Sequence, residues 1–490
     1  MHPSLLFSPV GILSLSFVSF ASFVSANSHS TASSLASILS GNSPIITPNN
    51  PEWNTLTSRW DPYAEPSLQI SVEATTISDI QTTVKFAVQR GIPLLITSTS
   101  HGFTESVRGI KNGIQISLRN FKNISVDKEH NTVTYGGGVV VAEIITELFK
   151  YGKRTSTGNC DCVGLGAGLG GGHGKLQGLH GLHSDNIISA QLVTASGELI
   201  IVSAEEHSDL FWGLRGAGHN FGVVVEVTMR IYDAKDADTW TNANYVFPGN
   251  KARRIFGFLN GYKSKQPKEL TGFVRFAPTV SGVSDVVLSV QYGGHEPYEK
   301  IGAPFLALGP KSVMNQTVPF PQVATAMGIG LNNGFCVKSG TRRGHFSTQI
   351  KKFNIPEMEG IKAFYDETLK TYPQFNASSM VWEMYPQQAF KAVPADESAY
   401  PHRDLDMLSL FMVNYKDPKD DELARKLGKE GLKHLLKTAE GYRVYVNYGL
   451  GDEPNNVMYG GGWRLERLRD LKRRYDPRNV FKGYNPIHLG

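Results

Sequence analysis

The sequence predicts a two-domain protein of mixed α and β structure. The chain has 490 residues, more than one small hydrophobic core accommodates, so two domains are expected. Apolar residues make up 40% of the chain and charged residues 19%, as in folded proteins rather than disordered ones. Strand and helix patterns alternate from Leu68 to Ile231, and the pattern changes after Asp233. The first half is therefore α/β or α+β, and the second half is a separate domain.

Hydrophobic periodicity locates the elements of the first half. Ser78 is predicted to cap a helix whose buried face includes Ile80 and Val84, and a second amphipathic helix begins near Val141 and ends at Gly152. Alternation of apolar and polar residues predicts strands at 68–73, 92–96, 113–118, 132–135, 188–194, 198–202 and 222–231.

The second half is predicted to be a sheet covered on one face by helices. Strands are expected at 274–276, 286–292, 380–385 and 407–413, and helices at 361–369 and 422–437. From Tyr442 the chain is predicted to return to the first domain through a helix with a leucine stripe. The basic residues of that helix are interpreted as a solvated face; they are Arg464, Arg467, Arg469, Lys472, Arg473 and Arg474.

The N-terminus has the pattern of a secretory signal peptide, residues 1–26. Residues 9–24 are uncharged and largely apolar, and Ser25-Ala26 offers small residues for cleavage. An uncleaved anchor is the alternative, and no later stretch is apolar enough to span a bilayer. Glycosylation sequons begin at Asn123, Asn315 and Asn376. We therefore expect a secreted glycoprotein with no stable membrane insertion after cleavage.

The charge balance argues against a nucleic-acid partner. The formal net charge is +5, which is small for 490 residues. A dedicated nucleic-acid binder concentrates basic residues on one face. No nucleic-acid partner is therefore expected.

The glycine-rich stretch 157–186 is predicted to be a cofactor cradle. Dense glycine lets backbone N–H groups approach a bulky or anionic ligand, at a cost in backbone entropy. The stretch also contains Cys160 and Cys162, two of the chain's three cysteines. By itself the cysteine pattern leaves a reactive Cys160, a C-x-C redox pair and plain structural cysteines open.

Two other interpretations of this stretch are rejected. Gly166, Gly168 and Gly171 fit G-x-G-x-x-G, but no strand leads into them and no clear helix follows. The three histidines, His173, His180 and His183, do not have the spacing of a known metal-ligand set. No metal site is predicted.

A second phosphate-binding turn is predicted at 97–102, directly after a strand. Thr97, Ser98, Thr99 and Ser100 supply hydroxyl groups, and Gly102 leaves the backbone open beside His101. Two such turns, one with a histidine and one with a cysteine, indicate a single cofactor more strongly than either turn alone.

From about Asp61 to the C-terminus the chain resembles the FAD-linked oxidases of the vanillyl-alcohol oxidase and p-cresol methylhydroxylase superfamily, in the berberine bridge enzyme-like branch. The resemblance lies in the order and spacing of short motifs. They are Ser98–Gly102, Gly158-x-Cys160-x-x-Val163-Gly164, Gly170-Gly171-Gly172-x-Gly174, Gly181-Leu182-x-x-Asp185-Asn186, Asp209-Leu210-Phe211-Trp212, Asn220-Phe221-Gly222-Val223-Val224, Tyr400-Pro401-His402-Arg403, Tyr445-x-Asn447-Tyr448 and Tyr475-Asp476-Pro477-x-Asn479-x-Phe481.

The resemblance implies an α+β fold with a two-part FAD-binding domain of the p-cresol methylhydroxylase type. A substrate domain, with an antiparallel sheet covered by helices, roofs the flavin ring. The implied boundaries are 62–233 for the FAD-binding domain, 234–440 for the substrate domain and 441–490 for a C-terminal return to the FAD domain. A monomer is expected.

The resemblance also implies covalently bound FAD. His101 matches the histidine that bonds the flavin 8α carbon, and Cys160 matches the cysteine that bonds C6 in doubly tethered members; Cys162 is an unusual residue at its position and competes for that role. Glycines are more usual in relatives where Thr99 and Ser100 stand. The other implied cofactor-binding residues are Thr97, Ser98, Thr99, Ser100, Gly102, Val163, Gly164, Gly171, Gly174, Asn186, Val223, Asn447 and Asn485.

The resemblance implies oxidation of an alcohol or similar C–X bond of a small organic molecule, as in secondary metabolism, with O2 as acceptor. Hydride transfer to a flavin requires a base for the partner proton. Tyr445 and Tyr448 are the candidates by resemblance, and Glu383, on a predicted strand, is the acidic candidate. The alternatives are an oligosaccharide oxidase, with a groove rimmed by Trp382 and Tyr385, and a flavin-dependent oxidative cyclase.

Overall fold

The computed structural model describes residues 29–234 and 238–489, and its fold is α+β. The signal peptide expected at residues 1–26 lies outside the described residues. Within the described residues, the first half forms a four-stranded sheet, a five-stranded sheet and a two-stranded ribbon, and the second half forms one seven-stranded sheet. The last residues then return to the first half, as the sequence predicts.

The first sheet carries the strand that ends at the predicted phosphate turn. Its strands are β1 (Ile45–Ile46), β2 (Leu68–Glu73), β3 (Leu94–Thr97) and β4 (Gly113–Ser117). Their order is β1-β2-β4-β3, with β2, β4 and β3 parallel and β1 antiparallel to β2. Because β3 is an edge strand of this sheet, the residues that follow Thr97 are free to turn toward a ligand.

The second sheet is antiparallel and packs against the first. The strands that follow along the chain are β5 (Ile124–Asp127), β6 (Thr132–Gly136), β7 (Lys153–Arg154), β8 (Ile187–Val193), β9 (Leu199–Ser203), β10 (Val223–Arg230) and β11 (Tyr232–Asp233). The sheet order is β5-β6-β10-β8-β9, and β7 and β11 form a separate ribbon. Val223 and Val225 of β10 join Ile114 and Ile116 of β4 in one buried core.

The large sheet of the second half is antiparallel throughout. Its strands are β12 (Thr239–Phe247), β13 (Leu270–Ala277), β14 (Asp285–Tyr292), β15 (Ser312–Pro319), β16 (Arg342–Ile350), β17 (Ser379–Met384) and β18 (Met407–Tyr415). Their order is β15-β12-β14-β13-β17-β18-β16. The sequence predicted β13, β14, β17 and β18 but missed β12, β15 and β16, whose polar residues hide the alternation.

Helices cover one face of the large sheet. The α-helices among the described residues include α1 (Trp53–Thr57), α2 (Ile77–Arg90), α3 (Val141–Phe149), α4 (Leu165–Leu169), α5 (Gln177–His180), α6 (Ser208–Ala217), α7 (Ala252–Tyr262), α8 (Tyr298–Leu306), α9 (Val323–Ala326), α10 (Ile355–Thr371), α11 (Gln388–Ala392), α12 (Asp421–Leu436), α13 (Asn455–Tyr459) and α14 (Trp463–Tyr475). Helices α7, α10 and α12 share an apolar core with the sheet. The opposite face remains available to the first half of the chain.

Strand alternation separates the two faces of the large sheet. Val274, Leu288 and Trp382 point into the helix-covered core and are fully buried. Phe273, Arg275, Ser289 and other residues at alternate positions point the other way, into a cavity against the first half. Trp382 therefore forms no part of a substrate groove, contrary to the expectation from the sequence.

Two local expectations from the sequence are wrong. Thr76, not Ser78, caps α2, because its hydroxyl accepts a hydrogen bond from the Asp79 amide. The basic residues of α14 do not form one solvated face, because Arg464 and Lys472 are buried. The Lys472 ammonium donates to Asp476 and to the backbone oxygens of Asn220 and Phe481. This ion pair ties α14 to the turn that precedes β10.

Candidate active site

A cavity of about 610 Å³ lies between the first half of the chain and the exposed face of the large sheet. The predicted site residues that line it are Thr97, Ser98, Thr99, Ser100, His101, Gly102, Cys160, Val163, Gly164, Glu383, Tyr445, Tyr448, Asn447 and Asn485. Residues from all three predicted segments therefore meet around one space.

The hydroxyl-bearing turn after β3 faces this cavity. The hydroxyl oxygens of Thr97, Ser98 and Ser100 are buried and have no hydrogen-bond partner among the described residues. Ser100 has a φ of 59°, a left-handed conformation that few non-glycine residues adopt. A Cβ added to Gly164 would lie 2.6 Å from the Ser98 hydroxyl. The hydroxyl-bearing turn at 97–102 and the glycine-rich stretch are thus in direct contact, and only glycine fits at position 164.

His101 lies half-buried at the cavity wall. Its Nδ1 is 3.1 Å from the Thr99 backbone oxygen, and its Nε2 is 3.1 Å from the Cys336 backbone oxygen. Burial lowers the pKa of His101 below its ordinary value, although both backbone contacts oppose that shift. The imidazole is therefore neutral at pH 7 and keeps a nucleophilic ring nitrogen.

The cysteines of the glycine stretch have different states. Cys162 forms a disulfide with Cys336, 174 residues away, and Cys160 is a free thiol at the cavity wall. The disulfide removes Cys162 as a competitor for a flavin bond and rules out the C-x-C pair. Burial raises the pKa of Cys160 to about 12, with a smaller contribution from the Glu383 carboxylate, while Lys175 opposes the shift.

Glu383 lies at the centre of a hydrogen-bonded group on the cavity face of β17. Tyr385 donates to Glu383 Oε2 at 2.6 Å, and Tyr448 donates to Oε1 at 2.8 Å. Asn159 donates in turn to the Tyr385 hydroxyl at 2.5 Å. Burial raises the pKa of Glu383, and the two tyrosine hydrogen bonds partly offset the rise. The arrangement suits a carboxylate that accepts a proton from a ligand.

Tyr445 lies beside this group and accepts two hydrogen bonds. The Gly172 amide donates to its hydroxyl at 2.9 Å, and the Asn447 side chain donates at 2.6 Å. Burial raises the pKa of Tyr445 to about 12, while both hydrogen bonds lower it. Asn447 also donates to the Ala167 backbone oxygen at 2.7 Å, so it links the C-terminal return to the glycine stretch.

Four predicted cofactor-binding residues do not line the cavity. Gly171 packs against the Tyr400 ring, and Gly174 against the Thr157 backbone. The Asn186 side chain bonds to His180 and Leu182 and accepts from Tyr232, so its polar atoms serve the fold. Val223 points into the core between the first two sheets, and the neighbouring Val224 reaches the cavity instead.

Sequence reasoning missed the polar residues of the large sheet that face the cavity. They include Asn242, Asn244, Arg275, Ser289, Gln291, His345 and Ser379. Several of them occupy alternate positions of strands whose other positions are apolar, such as Ser289 and Gln291 between Leu288 and Tyr292. Polar residues alternating with apolar ones in a buried strand are the signal that could have found them.

Neither a metal cluster nor a membrane helix was found in residues 29–234 and 238–489. No group of three or more His, Cys, Asp or Glu side chains in these residues is arranged to hold a metal ion. None of their helices combines the length and apolar character that crossing a bilayer requires.

The cavity wall has the donors and the space that a flavin dinucleotide requires. The unsatisfied hydroxyls of Thr97, Ser98 and Ser100 offer hydrogen bonds to phosphate, and Gly164 allows the backbone to approach closely. His101 and Cys160 both line this cavity, as covalent attachment of one cofactor to both would require. The residues present therefore fit FAD.

Comparison with known proteins matches two parts of the chain to family models. Residues 68–203 match the family model described as FAD binding domain, and residues 444–488 match berberine and berberine like. FAD-linked oxidoreductase anuG of Penicillium roqueforti is 35% identical over 92% of this chain and 91% of its own length. FAD-linked oxidoreductase OXR2 of Pyricularia oryzae is also 35% identical, over 92% of this chain and 90% of its own length.

Solved structures share the fold over nearly the whole chain. BBE-like 1 of Physcomitrella patens superposes with a TM-score of 0.82 at 20% identity, covering 94% of this chain and 99% of that one. Xylooligosaccharide oxidase of Myceliophthora thermophila C1 gives a TM-score of 0.81 at 22% identity with the same coverage. Together with the curated relatives, these matches show that the chain belongs to the FAD-linked oxidoreductases of the berberine bridge enzyme-like branch of the vanillyl-alcohol oxidase and p-cresol methylhydroxylase superfamily, with FAD as its cofactor.

Proposed function

We propose that the protein oxidises an alcohol or similar C–X bond of a small organic molecule, such as a secondary metabolite, and uses O2 as electron acceptor. The observation that carries the proposal is Glu383, held by Tyr385 and Tyr448 in the cavity that His101 and Cys160 also line. FAD, when bound, supplies an acceptor for the substrate hydride. Glu383 then takes the proton from the substrate O–H or N–H.

The tyrosines around Glu383 have separate roles in this proposal. Tyr385 and Tyr448 hold the two carboxylate oxygens and fix the direction from which a proton arrives. Tyr445, which accepts from Gly172 and Asn447, orients the substrate hydroxyl toward Glu383. Asn447, which donates to the Ala167 backbone oxygen, and Asn485, which accepts from the Thr104 hydroxyl, position the C-terminal return at the cavity wall.

We propose that FAD is covalently attached through His101, with Cys160 as the candidate for a second bond. The glucooligosaccharide oxidase of Acremonium strictum, which has a 6-S-cysteinyl, 8α-N1-histidyl FAD, has the same fold with a TM-score of 0.81. The presence of both side chains in the lining of one cavity supports the proposal, as does the Cys162–Cys336 disulfide, which leaves Cys160 as a free thiol.

The domain boundaries and the location of the protein are also proposed. Residues 62–233 form the FAD-binding domain, 234–440 the substrate domain and 441–490 the C-terminal return, in a monomer. Secretion is supported by the disulfide, since disulfides persist in oxidising compartments. It is supported further by the sequons at Asn123, Asn315 and Asn376, because all three asparagines are exposed.

The test of covalent attachment is the colour and mass of the purified protein. Colour should stay with the polypeptide after acid precipitation, and a His101-containing peptide should carry the mass of the flavin. His101→Ala should lose most of this retention, whereas Cys160→Ser should lose only a second bond. His130→Ala, at an exposed histidine outside the cavity, serves as the control for general loss of a histidine. Unchanged attachment in His101→Ala would contradict the assignment of His101.

An oligosaccharide oxidase is the second candidate function. Chitooligosaccharide oxidase and the xylooligosaccharide oxidase share the fold, and Tyr385 lines the cavity here. The two candidates differ in their substrates, so H2O2 formation with oligosaccharides rather than aromatic or allylic alcohols would favour the sugar. Product formation without O2 consumption would favour an oxidative cyclase instead.

A further inference from the structure

We propose that Arg275 binds a carboxylate of the substrate, and that the substrate is an amphipathic acid rather than a neutral sugar. This inference rests on the proposed function, because it names the substrate class of the same cavity. Its basis is an unpaired cation beside an apolar wall, at a fixed distance from Glu383.

Arg275 lines the cavity from β13 and has no partner within the described residues. None of their carboxylates forms an ion pair with its guanidinium, and none of their side chains or backbone oxygens accepts a hydrogen bond from it. Other arginines between the two halves are paired. Arg403 pairs with Asp185, and Arg343 donates to the Trp60 and Thr341 oxygens. The Arg275 side chain is exposed, so an anion can reach it.

The wall beside Arg275 is apolar. Val381 lies directly opposite Arg275 on β17, and Leu410 of β18 is opposite Val381. Phe273, Leu410 and Met412 line the same cavity. These side chains offer an apolar surface to the body of a ligand, while the guanidinium offers a planar fork that matches a carboxylate.

The strand register sets the distance from Arg275 to the proposed base. Phe273 of β13 lies directly opposite Glu383 of β17, and Arg275 is two residues further along the same face. Diagonal neighbours of this kind are roughly 7–8 Å apart. A substrate with its reacting carbon at Glu383 and a carboxylate about one aromatic ring away would therefore span both groups.

The polar groups that a sugar would use are already committed elsewhere. Gln291 donates to the Asn242 side-chain oxygen at 2.9 Å, and Asn242 donates to the Ala326 backbone oxygen at 2.9 Å. Ser289 donates to the Asn244 side-chain oxygen at 2.5 Å. Trp382, the aromatic platform expected for a sugar, points into the core. These contacts favour the acid over the sugar.

The experiment compares para-(hydroxymethyl)cinnamate with its methyl ester on the flavin-loaded full-length protein. The two probes have the same alcohol and ring, and only the acid carries a negative charge. Isothermal titration calorimetry gives Kd without requiring turnover, and H2O2 release gives kcat and KM. The variants are Arg275→Gln and Arg275→Lys, with Arg254→Gln on the outer helix α7 as the matched control.

The acid should bind about tenfold or more tightly than the ester, as expected for a hydrogen-bonded charge pair. Arg275→Gln should remove this preference, Arg275→Lys should restore part of it, and Arg254→Gln should leave it unchanged. The inference would be overturned if the acid and the ester bound equally, or if neither bound. It would also be overturned if Arg275→Gln kept the preference for the acid, or if xylobiose bound more tightly than the acid. If the wild-type protein preferred the acid over the ester but released no H2O2 with either, the result would instead contradict the proposed oxidation.

Discussion

At the scale of single residues, the chemistry depends on how Glu383 is held. Its carboxylate is buried beside two tyrosine hydroxyls, and burial and hydrogen bonding shift its pKa in opposite directions. A buried base of this kind remains protonated to a higher pH than an exposed glutamate. The decrease in activity at low pH is therefore expected to follow the pKa of Glu383, which the groups around its carboxylate determine.

Replacing Tyr385 with Phe should shift that acid limb to higher pH. The Tyr385 hydrogen bond favours the ionised form of Glu383, so its loss raises the carboxyl pKa further. Because the ionised form accepts the proton, activity disappears as pH falls through that raised pKa. The measurement is kcat/KM against pH for the wild type and Tyr385→Phe.

Tyr415→Phe is the control for this shift, because Tyr415 bonds to Asp421 away from the cavity. Glu383→Gln, which keeps the shape of the side chain, should lower kcat by about a hundredfold or more, as loss of a general base does. An identical pH profile in Tyr385→Phe, or wild-type turnover in Glu383→Gln, would show that Glu383 is not the base.

At the scale of elements, two connections hold the cavity wall together. The Cys162–Cys336 disulfide joins the glycine stretch to the segment that reaches His101, and Lys472 joins α14 to the start of β10. Each connection bridges parts of the chain that are distant in sequence. Their loss should therefore affect the site and the stability differently.

Removing the disulfide should loosen the wall near His101. The Cys336 backbone oxygen lies 3.1 Å from His101 Nε2, and the neighbouring Phe335 oxygen accepts a hydrogen bond from the Trp60 indole at 2.5 Å. The double variant Cys162→Ser, Cys336→Ser should lower the free energy of unfolding by about 2–4 kcal/mol. It should also lower the fraction of protein with acid-stable flavin, measured by absorbance after precipitation. A variant with wild-type stability and full flavin retention would contradict this role.

Replacing Lys472 with Met should destabilise the protein strongly. Lys472 and Asp476 are fully buried, and removal of the ammonium leaves the Asp476 carboxylate without its counter-ion. Breaking a buried pair on one side costs about 3–5 kcal/mol. Denaturant unfolding measures the change. Arg473→Met removes an exposed cation of the same helix and should change the free energy of unfolding little. An equal decrease in the free energy of unfolding in both variants would mean that burial of the pair is unimportant.

The elements that the sequence predicted are those with regular apolar periodicity. Strand β2 has the expected bounds and helix α3 has the expected start, because their apolar positions alternate or recur without interruption. Strands β12 and β16 were missed because one face of each carries polar residues such as Asn242 and His345, which line a cavity. The buried Lys472 was also missed, since its partner Asp476 and the two backbone acceptors become visible only in three dimensions.

The same distinction holds for the candidate site. His101, Cys160 and Glu383 were proposed from the sequence, and all three line the cavity, while their chemical roles stay predictions. Gly171 and Val223 belong to equally recognisable segments, but each faces away from the cavity. Sequence identifies a segment, whereas the direction of each side chain depends on the packing of distant parts.

At the scale of the whole molecule, burial of neutral histidines makes stability depend on pH. Burial lowers the pKa of His173, His183, His219 and His402 to about 4 each. Unfolded histidines titrate near pH 6.5, so between about pH 6.5 and 4 the unfolded chain binds protons that the folded chain does not. Stability is therefore complete above pH 6.5 and declines as the pH falls through this window.

Buried carboxyls act in the opposite direction, and Asp61 and Asp161 have large shifts. Burial raises the pKa of Asp61 and Asp161 to about 6 each, so the folded chain takes up these two protons before the unfolded chain does. The histidines with strongly lowered pKa values also include His180 and His345, so they outnumber these two carboxyls and unfolding near pH 5 takes up protons. The free energy of unfolding should therefore fall as the pH is lowered from 7 to 5. Calorimetry at pH 7 and pH 5, at constant ionic strength, measures the expected decrease in Tm. Repeating it in buffers of different ionisation enthalpy measures the proton uptake. An equal or higher Tm at pH 5 would mean that these histidines are charged in the folded protein.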